Sequence, residues 1–232
     1  MQNENTTQPG NSNDIETLET EIRDAVAHGS HIQETVHHLT LQAMNAQRID
    51  LESLQRIITA VMQGVHDGAK QQLQQAANQT QTAKSQITEA VAGLDSALAG
   101  FAEASKLAIE EAAGHAKKFS DKELTHTRSD LERLEKLFLD TLHKTATAAQ
   151  GLVADILLDL SHHAKNNGTA VGSQLEETLA TFAKQIASVG HSQLDVGTSL
   201  AHATADFIHE IATGVLSGIK DQSKKADHHK KM

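Results

Sequence analysis

The chain of 232 residues has no cysteine, no tryptophan, no tyrosine, five phenylalanines and a single proline, Pro9. Each shortage excludes something. Without cysteine there are no disulfides, zinc–thiolate sites, iron–sulfur clusters or thiol nucleophiles. Large aromatic side chains normally dominate core and pocket energetics. Their scarcity points to thin helix–helix interfaces filled by Leu, Ile, Val and Ala. With its one proline at position 9, nothing in the rest of the chain forbids helix.

Long hydrophobic runs are missing as well. A membrane span needs roughly 18 or more apolar residues. The apolar-leaning stretch Ala146–Ala154 is short and carries Thr147 and Gln150. The opening MQNENTTQPGNSN lacks a basic region followed by an apolar one, so no secretory signal is visible and a cytoplasmic location is expected. The formal net charge is −10, from 30 acids against 20 bases. That balance opposes general binding to nucleic acid or anionic lipid. The exception is the basic end, where Lys220, Lys224, Lys225, Lys230 and Lys231 surround His228 and His229. As a short charge run it reads as a solubilising tail, with contact to nucleic acid or an acidic partner as the alternative.

What is present is helical periodicity. Residues 1–13 read as a disordered tail. Asp14 reads as an N-cap for Ile15, Leu18, Ile22 and Val26, in a helix ending near His28–Gly29. Ser30 with Gln33 matches a capping box, opening a helix along Ile32, Val36, Leu39 and Ala43. After a break near Gln47–Arg48, Asp50 caps a third helix, with Ile49 and Leu54 at the spacing of a hydrophobic staple. This helix is expected to be long. Leu73, Thr80, Ile87, Leu94, Phe101 and Ala108 recur every seven residues, and Ala76, Ala83, Ala90, Ala97 and Ala104 sit three residues after the first five. That is a heptad seam with alanine at one position, which permits close helix approach.

A break is expected near Gly114–Phe119, before a capping box at Ser120 and Glu123. A further stripe then runs from Leu124 through Leu131, Leu134, Phe138, Leu142, Leu152 and Ile156 to Leu160. Asn166-Asn167-Gly168 is the strongest turn signal, with Thr169 placed to cap the next helix. The last stripe is Val171, Leu175, Leu179, Phe182, Ile186, Val189, Val196, Leu200, Phe207, Ile211 and Val215. Its near-eleven-residue repeat keeps it straight along a helix of about 75 Å. The expected fold is all-α, an elongated bundle of long amphipathic or coiled-coil helices. Two short helices would occupy 14–49, a long-helix bundle 50–221, and a Lys/His-rich tail 222–232.

Histidine is in excess, at 15 residues. Glu34–His37, Glu123–His126, Asp140–His143, Asp159–His162 and Asp206–His209 each place a carboxylate three residues before a histidine. Di-iron bundles place their ligands with this spacing. Four of these pairs turn away from their apolar stripes and Asp159–His162 sits at the rim, so solvated helix neighbours are expected, not a metal centre. His37-His38, His162-His163 and His228-His229 are candidates for loose metal contact or for pH-tuned assembly, with exposed polar filler the simpler expectation. Gly64–Gly68, Gly168–Gly172 and Gly214–Gly218 have G-x-x-x-G spacing, a close-contact signal among polar neighbours. No phosphate loop, G-x-S-x-G or HExxH motif occurs. No enzyme activity, cofactor or small-molecule substrate is expected.

Val36–Ala69 resembles the N-terminal segment of a family of uncharacterised bacterial helical proteins, through Leu39-Thr40-Leu41-Gln42-Ala43, Arg48-Ile49-Asp50 and Gly64 with Gly68. Ala69–Lys220 is similar to phasins, the amphipathic proteins that coat polyhydroxyalkanoate granules, in segments such as QQLQQAANQTQTAKSQ and FAEASKLAIEEAA. That resemblance implies a granule-coating role.

The expected function is therefore structural: a self-associating helical scaffold that coats a hydrophobic granule or lipid-like surface. One alternative is an oligomeric coiled-coil scaffold for a protein partner, with no surface role. Another is a helical pore-forming toxin. The residues expected to carry the interaction are Leu73, Ile87, Leu94, Phe101, Leu131, Phe138, Leu152, Ile156, Leu175, Phe182, Ile186, Val189, Phe207 and Ile211. A homo-oligomer is expected, without a transmembrane segment.

Overall fold

The computed structural model describes residues 10–45, 50–75, 80–114 and 121–190. These residues form seven helices and no strand: α1 (Gly10–His28), α2 (Ile32–Asn45), α3 (Leu51–Gln75), α4 (Thr80–Gly114), α5 (Asp121–Ala148), α6 (Gly151–Asn167) and α7 (Ala170–Gly190). The fold is all-α.

Several expected boundaries move. α1 begins at Gly10, so Asp14 lies inside the helix, and Asn13 is already helical enough for its carbonyl to accept from the Thr17 hydroxyl at 2.7 Å. The Ser30 capping box is not where α2 starts. His31 takes a left-handed conformation (φ 60°), and its carbonyl accepts the N–H and the hydroxyl of Thr35. α2 ends at Asn45 and α3 begins at Leu51, which brackets the break expected near Gln47–Arg48, itself outside the described residues. The expected long third helix is represented by α3 and α4, on either side of residues 76–79, which lie outside the described residues together with Ala76 of the seam. The stripe from Leu124 to Leu160 is divided. α5 stops at Ala148, and Gly151 adopts φ 59°, which costs little only without a Cβ. α4 ends at Gly114 and α5 begins at Asp121, which brackets the break expected near Gly114–Phe119; residues 115–120, with the expected cap at Ser120, lie outside the described residues. Of the 75 Å last helix, only Ala170–Gly190 lies among the described residues.

The chain groups into two compact units, each discontinuous in sequence. The described residues of one unit are 10–45, 52–75, 80–94 and 140–162; those of the other are 50–51, 95–114, 121–139 and 163–190.

In the first unit α1 packs on α2, and glycines bring further helices close. A Cβ on Gly64 of α3 would lie 2.6 Å from the Glu19 carbonyl oxygen and 2.9 Å from Ile22 Cβ of α1. One on Gly68 would lie 2.5 Å from the Arg23 oxygen and 2.8 Å from Val26 Cβ. Gly64–Gly68 is therefore a contact face, formed with α1. Gly93 of α4 meets α2 in the same way, since a Cβ there would lie 2.5 Å from the Gln33 oxygen. Ile22, Val26, Val36, Ile57, Ile58, Val61 and Ile87 fill the core between these helices.

In the second unit α4, α5 and α7 pack around Leu98, Ile109, Leu134, Phe138, Val171 and Phe182. Buried hydroxyls turn to backbone. Thr178 of α7 shares its proton between the Gln174 carbonyl at 2.9 Å and the Ala102 carbonyl of α4 at 3.1 Å. An unpartnered hydroxyl there would cost roughly 1–3 kcal/mol.

Candidate functional site

The expected interaction residues are mostly inside the protein. Ile87, Leu94, Leu131, Phe138, Ile156, Leu175 and Phe182 are buried; Leu73, Phe101 and Leu152 are half-buried. Ile186 and Val189 fall within α7, but their side chains lie outside the described set, as do Phe207 and Ile211 altogether. Among the described residues the one large hydrophobic side chain that is exposed is Leu107, at 40%. The buried face of α4 is also wider than a two-position seam. Val91, Leu98, Ala102, Ser105 and Ile109 join the expected Ala83, Ile87, Ala90, Leu94, Ala97, Ala104 and Ala108. In the second unit α7 lies on this face, which explains the width there.

Polar geometry converges most tightly at the start of α7. Helix starts leave backbone N–H groups without partners. Here Thr169 fills the capping position expected of it, its hydroxyl oxygen accepting the Gly172 N–H at 2.9 Å. The Thr169 hydroxyl donates in turn to Glu135 Oε1 of α5 at 2.6 Å. Asp95 of α4 accepts the Ala170 N–H at 2.8 Å through Oδ2 and the Val171 N–H at 2.9 Å through Oδ1. Gly168 precedes the cap at φ 82°, the left-handed turn that Asn166-Asn167-Gly168 predicts. Burial pushes the Asp95 carboxyl above its usual range and the nearby Glu135 charge adds to this, while the Val171 and Ala170 N–H bonds oppose it. Thr169 and Gly168 were legible as turn and cap. Asp95 and Glu135 were not, because they reach the cap from 75 and 34 residues away in sequence.

A cavity of about 410 Å³ opens beside this cap, lined by Glu132, Glu135, Asn167, Gly168, Thr169, Gly172, Ser173, Leu175, Glu176 and Leu179. A second, of about 450 Å³, lies against α1 and α3 and includes Glu19, Glu52, Arg56 and Thr59. Neither lining pairs a nucleophile with a histidine base. Among the described residues no group of three His, Asp or Glu side chains could hold a metal ion. Asp140, His143, Asp159 and His162 are exposed, as the solvated-pair reading expects, and Glu34 is exposed beside a half-buried His37. Burial holds His37 below its ordinary value; His38 adds to the effect and Glu34 opposes it. The side chains of Glu123 and His126, and the pair Asp206–His209, lie outside the described set.

With the fold helical and its stripe folded inward, the family comparison becomes informative. A family model matches residues 8–225. The chain belongs to DUF6781, a family of unknown function. The match spans both units and all seven described helices, so membership in DUF6781 attaches to the whole arrangement and not to the N-terminal segment alone. Neither curated proteins nor solved structures gave a match.

Proposed function

We propose that this member of DUF6781 is a structural scaffold that self-associates and binds a hydrophobic granule or lipid-like surface, exchanging helix–helix contacts for that surface. The observation that supports the reading is the thinness of its core. Ala83, Ala90, Ala97, Ala102, Ala104 and Ala108 form much of the buried face of α4, and glycines sit at the crossings. A buried methyl contributes about 0.8 kcal/mol, against about 1.5–3 kcal/mol for a whole Leu, Ile or Phe side chain. Helices joined this way separate at modest cost, and each then presents an amphipathic stripe of the kind that lies on an apolar surface. The acidic balance favours a neutral surface over an anionic one.

A second reading, an oligomeric scaffold for a protein partner, is favoured by the inward burial of Leu94, Phe138, Leu175 and Phe182, which among the described residues leaves little apolar surface to spread on a granule. The pore-forming reading needs an apolar hairpin of membrane length. Among the described residues no helix is long and apolar enough to cross a membrane.

Partitioning between buffer and neutral hydrophobic particles, at low and high salt, tests the proposal, with light scattering for the soluble mass. Salt-insensitive binding with loss of the soluble oligomer is expected. A stable oligomer that ignores the particles would transfer the case to the protein-partner scaffold. A non-binding monomer would sink both readings.

A further inference from the structure

We propose that α7 is a latched segment, released from α4 and α5 by a rise in pH as the Asp95 carboxylate, near the like charge of Glu135, gives up its proton. The latch is a convergence of two helices on the end of a third. Asp95 takes the first two N–H groups of α7, and Glu135 takes the Thr169 hydroxyl. Gly172 makes room for this: a Cβ there would collide with the Glu135 carboxylate and lie 2.6 Å from its Cδ. Before α7 the chain is the left-handed turn at Gly168, a point about which the helix can swing.

The local charges have one sign. Asp95 faces the latch from α4, Glu132 and Glu135 from α5, and Glu176 from α7 itself; α6 contributes the uncharged Asn167, bonded to the exposed His163. Glu132 is paired with Arg128 at 2.8 Å, and no basic side chain lines the cavity. A helix N-terminus carries only about half a positive charge, which does not neutralise two carboxylates. The Lys106–Glu177 pair, 3.1 Å apart, ties α7 to α4 further along.

The sign is set by linkage. Burial and Glu135 raise the native affinity of Asp95 for a proton above that of the unfolded chain. Its contribution to docking is therefore complete below the ordinary carboxylate value of 3.8 and is lost as pH rises through the higher native value. On release, α7 uncovers Val171, Leu175 and Phe182. Their use as a binding face rests on the scaffold reading; the release itself does not.

Hydrogen exchange of the full chain between pH 4.5 and 7.5, corrected for the intrinsic rate, reads the latch with α5 as the reference in the same unit. Protection of α7 relative to α5 should fall by about threefold or more as pH rises. Glu135→Gln keeps an acceptor for Thr169 and removes the like charge. It should raise α7 protection at pH 7 and flatten the pH dependence. Thr169→Ala, which alters neither carboxylate's charge, should lower protection at every pH. Protection of α7 that is flat or rises with pH would overturn the proposal. So would a Glu135→Gln chain that loses protection at pH 7 as Thr169→Ala does, because Glu135 would then be only an acceptor.

Discussion

Alanine at Gly64 and at Gly100 should have opposite effects, although both replace a helical glycine by the same side chain. In an open helix interior the change stabilises by about 0.5–1 kcal/mol, because glycine loses more backbone entropy on folding. Gly100 meets nothing within 4 Å, so it should show that gain in full. At Gly64 the new methyl falls 2.6 Å from the Glu19 carbonyl oxygen, 2.9 Å from Ile22 Cβ and 3.0 Å from Ile22 Cγ2. The nearest atom is backbone and cannot turn aside, so α1 must move off α3. Overpacking of this kind costs about 1–3 kcal/mol. The propensity gain offsets part of it, which leaves Gly64→Ala between neutral and about 2 kcal/mol destabilised. The difference between the two variants isolates the steric cost. Urea unfolding should be followed by far-ultraviolet circular dichroism, since the chain has no Trp or Tyr to report by fluorescence. Equal stabilisation by both substitutions would refute the close α1–α3 crossing.

Three further outcomes rest on the same contacts. Thr169→Ala removes the cap of α7 and should cost about 1 kcal/mol, whereas Thr169→Ser should be nearly neutral, both read from the unfolding midpoint. Burial lowers the proton affinity of His37 in the native state, so its contribution to stability is present above the unfolded value of 6.5 and is lost as pH falls below that through the lower native value. His37→Gln should flatten the stability profile between pH 5 and 7, and an unchanged slope would assign that pH dependence to other groups. Phe138→Ala empties a site that is 1% exposed and should cost about 3–5 kcal/mol in the same unfolding assay.

Much of the helical content was readable, because apolar residues at helical spacing repeat through most of the chain and one proline leaves it uninterrupted. Gly168 announced its turn through the Asn-Asn-Gly context, and Thr169 its cap. Gly151 did not announce its break. It sits in an apolar stretch with no flanking turn residue, and a stripe at regular spacing reads the same across a tight interruption. Ser30 and Gln33 have capping-box spacing, yet the backbone turns at His31 and α2 starts just after it. The wide face of α4 looks like a narrow seam in sequence because periodicity shows which side is apolar, not how many neighbours cover it. The α7 latch was invisible for a related reason. Asp95 and Glu135 look like ordinary surface acids until tertiary structure brings α4 and α5 to one helix end.

The central claim is that the apolar stripe is satisfied by the chain's own helices until a surface displaces them. Because the chain has no cysteine, single thiols test this cleanly. Leu94→Cys places a thiol at a site with 0% exposure, and Leu107→Cys places one at 40% exposure on the same helix. Labelling by a small soluble reagent should be at least about a hundredfold slower at position 94 than at 107, the ratio expected when access requires local opening. Comparable rates at the two positions would mean that the stripe is open in solution, and would contradict the account.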